Sequence, residues 1–106
     1  MPAINGTILE GRIAIRGDKV PLSLGYVDSC SFRLAVDAGK YSDGRQITNF
    51  VTCTAFGHNA KFISEYCTRG TTILITARVS NNKKGDVEFI IDTVKILNSP
   101  GGAKND

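Results

Sequence analysis

The chain is predicted to be all-β: a five-stranded Greek-key barrel with one short helix between the third and fourth strands. Three observations predict it. Segments with period-two alternation of apolar residues recur along most of the chain. Glycine-containing turn signals separate them. Only one stretch, His58 to Arg69, carries the three-and-four spacing of a helix. The 106 residues make one domain with one modest core. Apolar residues at 42% and charged residues at 22% are ordinary for a folded protein and exclude a disordered chain.

The first strand is expected over Asn5–Arg16, with Gly11 in its middle marking a bulge or a barrel corner. Residues 17–29 read as a loop, through Gly17-Asp18, Pro21 and Gly25. Ser31–Asp37 is the second strand, with Phe32, Leu34 and Val36 on one face and Arg33 and Asp37 on the other. Ala38–Gln46 is a polar connection with an Asp43-Gly44 turn signal, and Ile47–Phe56 is the third strand. In the helix, Ala60, Ile63 and Cys67 form the apolar stripe and Phe62 and Tyr66 an i, i+4 pair. Arg69 is expected in its last turn and Gly70 as its left-handed terminator. Thr71–Ser80 and Asp86–Leu97 are the fourth and fifth strands, joined by the turn Asn81–Gly85. Strand, strand, strand, helix, strand, strand is the plan of the OB-fold. Residues 1–98 are assigned to the barrel and 99–106 to a short polar tail.

Composition narrows the function. The net charge of +3 permits an anionic partner without demanding one, and no basic run exceeds Lys83-Lys84. Any nucleic-acid surface must therefore be assembled in three dimensions. Cys30, Cys53 and Cys67 are odd in number and widely spaced, and His58 is the sole histidine. A zinc site needs clustered ligands, so no metal and no cofactor is expected, and reduced thiols point to a cytoplasmic protein. No segment approaches the roughly 20 apolar residues of a membrane span. Catalysis has no support: His58 reads as a surface or capping residue, and the acids Asp18, Asp28, Asp37, Asp43, Asp86, Glu88 and Asp92 lack metal-binding spacing.

The third strand carries the functional signal. Val51, Cys53 and Ala55 share one face and suit a tight interior. Phe50, Thr52, Thr54 and Phe56 share the other, which places two large rings away from the core. Such rings either stack nucleobases or pack beneath a loop, the helix or a partner subunit. Arg33 on the second strand, Thr76 and Arg78 on the fourth, Lys83 and Lys84 in the following turn, and Lys40 and Arg45 flanking Tyr41 surround that face with cations. Rings for bases with cations for phosphates are the ingredients of a single-strand binder.

The segment TNFVTCTAFGHNAKFISEYCTRGTTILITARV resembles the centre of bacterial and phage single-stranded DNA-binding proteins, through Thr48, Phe50, Cys53, Ala55, Phe56 and Gly57, then Tyr66, Arg69 and Gly70. ILEGRI resembles the first strand of that family, SFRLAVD its second and EFIIDTVKIL its last, so about 90 of the 106 residues match in order. The resemblance implies base stacking at Phe50 and Phe56, where the family often has tryptophan at the first position, with Tyr41 near a further stacking position. Thr52, Thr54, Thr76, Arg12, Arg33, Lys40, Arg45, Arg78, Lys83 and Lys84 complete the expected DNA contacts. It further implies a non-catalytic role in replication, recombination or repair, and a homotetramer, with a homodimer as the alternative. Other replication proteins would be additional partners. Three departures stand out: there is no tryptophan, the hairpin between the fourth and fifth strands is shorter than in many relatives, and in place of the acidic C-terminal tip of cellular members the tail reads Ala103–Asp106. A compact member from a phage or other mobile element is one expectation, and a shortened form of a longer chain is the other. A primosomal accessory protein of the same fold, or an assembly module with its aromatic face covered by protein, are the alternatives.

Overall fold

A computed structural model describes residues 5–99. The strands are β1 (Thr7–Ala14), β2 (Ser29–Lys40), β3 (Gln46–Phe56), β4 (Thr72–Asn81) and β5 (Val87–Asn98), and the helix α1 is His58–Tyr66. The strands close into a barrel in the order β1-β2-β3-β5-β4. All neighbours are antiparallel except β3 and β5, which run parallel through Cys53 opposite Phe89 and Thr54 opposite Ile90. The five-stranded barrel with its single interposed helix is the predicted OB-fold. The tail beyond Ser99 lies outside the described residues, as do residues 1–4.

Alternation explains the interior. Ile13 from β1, Leu34 from β2, Cys53 and Ala55 from β3, and Ile73 and Ile75 from β4 are all fully buried. Each large aliphatic chain removed from water stabilises the fold by roughly 1.5–3 kcal/mol. At nine residues α1 is too short to persist alone. It is held by its apolar stripe, since Ala60, Ile63 and Cys67 are completely buried against the barrel. Phe62 and Tyr66 stack alongside with centroids 5.2 Å apart.

Gly11 marks the barrel corner, as expected. At this point β1 passes from pairing only with β4 to pairing with β2 as well, through Arg12 opposite Ala35. A β-carbon at Gly11 would lie 2.5 Å from the Ala35 carbonyl oxygen and 2.8 Å from Leu34 Cγ.

Several boundaries differ from the sequence reading. The helix ends at Tyr66, not Arg69, because Thr68 pairs with Lys19 in an isolated bridge and draws the chain away from the helix axis. Gly70 does adopt a positive φ of 87°, but within the following turn, closed by the Thr71 amide donating to the Thr68 carbonyl. Arg69 instead donates to the Arg16 carbonyl. His58 is exposed and does not cap; Gly57 occupies the N-cap with no side-chain hydrogen bond. β2 runs three residues beyond Asp37 by accommodating an irregularity between Asp37 and Lys40. The connection is therefore the tight turn 41–45, in which the Tyr41 amide donates to the Arg45 carbonyl.

All three cysteines are free thiols in the interior. Burial pushes the Cys53 thiol up to about 12 and Cys67 up to about 11, the nearby Cys30 adding to the latter. Burial also raises Cys30, partly offset by a hydrogen bond with the Ala55 backbone. The unfolded chain ionises these thiols near 9.0, below the folded protein. Their contribution is therefore full below pH 9 and is lost as pH climbs toward 12. The urea midpoint is expected to fall over that window, and Cys53→Ala to lose part of the fall.

Candidate nucleic-acid interface

The outer face of β2, β3, β5 and β4 forms one continuous surface whose rows follow from the register. Arg33 lies opposite Thr52, and Ser80 opposite Glu88. Ser31 lies opposite Thr54, Thr54 opposite Ile90, and Ile90 opposite Arg78. Phe50 and Phe56 stand on this surface, 52% and 48% exposed. At about half exposure, neither ring is sealed beneath a loop or the helix of its own chain.

Phe50 has a cation on it: the Arg33 guanidinium carbon sits 5.2 Å from the ring centroid. That contact braces the ring and holds a positive charge at its face. Phe56 lies at the other end of β3, beside the loop 23–29. Ser23 and Ser29 close that loop by exchanging backbone hydrogen bonds of 2.7 and 2.9 Å. The Gly57 amide donates to the Asp28 carbonyl at 2.7 Å, fixing the loop against the end of β3.

Parallel β3 and β5 both begin at the end of the barrel away from α1. The turns leading into them, 41–45 and 82–86, therefore project from the same end. Lys40, Tyr41 and Arg45 are exposed on one, Lys83 and Lys84 on the other. Arg45 stacks on Tyr41 at 4.9 Å and pairs with Asp43 at 2.7 Å. The topology thus gathers into a basic rim two clusters some forty residues apart in the chain.

The remaining expected residues divide. Arg12 pairs with Asp37 at 3.3 Å and Arg78 with Asp92 at 3.0 Å. These are half-exposed pairs, each contributing about 0–1 kcal/mol, so a phosphate can replace the carboxylate at little cost. Among the described residues Arg33, Lys40, Lys83 and Lys84 make no ion pair. Thr52 is exposed beside Arg33. Thr54 is only 7% exposed, its hydroxyl hydrogen-bonded to Ser31 Oγ and donating to Glu88 Oε1, each at 2.8 Å. Its expected direct contact with DNA does not suit that burial; it acts as a strut within the face. Thr76 shares a 2.6 Å hydrogen bond with Thr93 of β5 and lies opposite Ile8 of β1.

Sequence reasoning missed two parts of the surface. One is the pair of acids, Glu88 and Asp92, that β5 brings onto it. The other is the loop 23–29, where Leu24, Tyr26 and Val27 are exposed next to the Phe56 end of β3. Three large apolar residues within four positions of a glycine-containing loop were the available signal.

The sequence profile of the single-strand binding protein family matches residues 4–95. The chain belongs to this family. Solved structures agree on the fold at low sequence identity. The SSB domain of a Synechococcus sp. protein superposes with a TM-score of 0.67 at 11% identity, covering 89% of this chain and 97% of its own. The protein priB from Ralstonia solanacearum gives 0.67 at 14%, covering 90% and 100%. The second single-stranded DNA-binding protein of Mycobacterium smegmatis gives 0.69 at 20%, covering 87% of each. No curated protein sequence matches significantly. Single-strand binding proteins of this family are non-catalytic, and among the described residues no three His, Cys, Asp or Glu side chains cluster as metal ligands. No described helix is long and apolar enough to cross a membrane.

Proposed function

We propose that this member of the single-strand binding family coats single-stranded DNA without catalysing a reaction, during replication, recombination or repair, as a homotetramer. The carrying observation is the pair of half-exposed rings, Phe50 and Phe56, on a strand face rimmed by cations. An exposed ring stacks any base for roughly 1–3 kcal/mol, so the strand is held with tolerance of sequence. Arg33, Lys40, Lys83 and Lys84 meet phosphates from the rim, and Arg12, Arg45 and Arg78 exchange their carboxylate partners for phosphate. Tyr41 extends the stacking surface at the hairpin tip, with Leu24, Tyr26 and Val27 at the opposite end.

Titration of single-stranded and duplex oligonucleotides at two salt concentrations tests the reading, with light scattering for mass. Preference for the single strand, with affinity falling as salt rises, is expected; equal binding of duplex overturns it. The two lysines of the β4–β5 turn give a finer check. Each phosphate neutralised on a single strand contributes about 0.7 to the slope of log affinity against log salt. The variant Lys83→Ala/Lys84→Ala is therefore expected to flatten the slope by about 1.4 per protomer.

A further inference from the structure

We infer that Glu88 makes the interface favour bases bearing an exocyclic amino group, cytosine above thymine, by accepting a hydrogen bond from the base edge. This rests on the single-strand reading of the same surface. Glu88 projects from β5 onto the outer face, in the row that holds Ser80 and next to the strand bearing the rings. It is half-buried, and its Oε1 is fixed by the Thr54 hydroxyl, itself anchored to Ser31 across β2 and β3. Among the described residues no cation pairs with it, and no hydrogen bond reaches Oε2. An oriented carboxylate with an unused acceptor thus stands in the middle of a face whose cations are at its edges.

That charge arrangement decides what lies over it. Phosphate is repelled from the centre and drawn to Arg33 and the lysine-bearing turns, so the bases turn inward. An ionised carboxylate only accepts hydrogen bonds. Cytosine offers its N4 amino group, whereas thymine presents the O4 carbonyl at that position. The single N–H of thymine lies between two carbonyl oxygens that oppose the carboxylate. Stacking on Phe50 and Phe56 remains tolerant of both pyrimidines, and Glu88 superimposes a preference on it.

The test compares oligo-dC with oligo-dT of equal length at neutral pH, on the wild type and on Glu88→Gln. The wild type is expected to bind oligo-dC about fivefold or more tightly, as befits a charge-assisted bond to a base edge. In Glu88→Gln oligo-dT binding rises because a negative charge is gone, while oligo-dC loses its charge-assisted bond, so their ratio falls toward one, since an amide both donates and accepts. A second variant, Thr54→Val, keeps the charge and frees the carboxylate from its strut; its ratio is expected to shrink as well, which guards against a fold defect in the first. Methylating both N4 hydrogens of the cytosines is expected to abolish the advantage. Equal wild-type affinity for the two oligonucleotides, or a ratio that survives Glu88→Gln, overturns the role of Glu88 alone. Failure to bind either oligonucleotide overturns the single-strand reading with it.

Discussion

The double substitution Phe50→Ala/Phe56→Ala is expected to weaken oligo-dT binding by at least about thirtyfold while the barrel stays folded. Each stacked base is worth roughly 1–3 kcal/mol, and two rings at the lower bound amount to about 2 kcal/mol, more than a tenfold change. The lower part of the range applies because Arg33 already lies over Phe50 and the rings are half covered by their neighbours. Stability is spared for the same geometric reason: neither ring belongs to the buried cluster built on Ile13, Leu34, Ile63, Ile73 and Ile75. The slope against salt is expected to stay near the wild-type value, because stacking releases no counterions. Fluorescence titration with a parallel thermal melt reads both quantities. Unchanged affinity in a folded double variant removes the stacking role.

Gly11→Val is expected to show the largest loss of stability. The side chain added at this buried corner meets a backbone carbonyl, Ala35 O at 2.5 Å, as well as Leu34 Cγ. A flexible neighbour could rotate away, but the carbonyl belongs to the β1–β2 seam and cannot move without opening it. Overpacking costs roughly 1–3 kcal/mol and more where backbone must shift. At about 4–8 °C per kcal/mol for a domain of this size, the melting temperature is expected to drop by 10 °C or more. Gly17→Ala supplies the control, since nothing lies within 4 Å of its added carbon and no change is expected. A Gly11→Val melt that matches the control refutes the corner argument.

The two faces of β3 were legible because alternation alone sorts Val51, Cys53 and Ala55 from Phe50, Thr52 and Phe56. Gly11 was legible as a corner for a similar local reason: an isolated glycine in a strand signals close backbone approach. What escaped was set by partners distant in the chain. Thr54 shares the outward parity of its neighbours, yet it is buried because Glu88, thirty-four residues away, bonds to it through the barrel register. The same register turns Asp92 onto Arg78. At the end of α1, Arg69 and Gly70 formed a correct left-handed signal that belonged to the next turn. The bridge between Thr68 and Lys19 ended the helix first, and no local propensity encodes a bridge to a residue forty-nine positions earlier.

The parallel seam between β3 and β5 registers over two residue steps, whereas β2–β3 and β4–β5 are long antiparallel ladders. In mechanical terms the barrel is two robust ribbons, bridged on one side by β1 and on the other along a narrow hem, and the Thr54–Glu88 hydrogen bond is a stitch across that hem. The aromatic face straddles that hem. Under the proposed single-strand role, a strand laid over the aromatic face would lie across this hem and brace it.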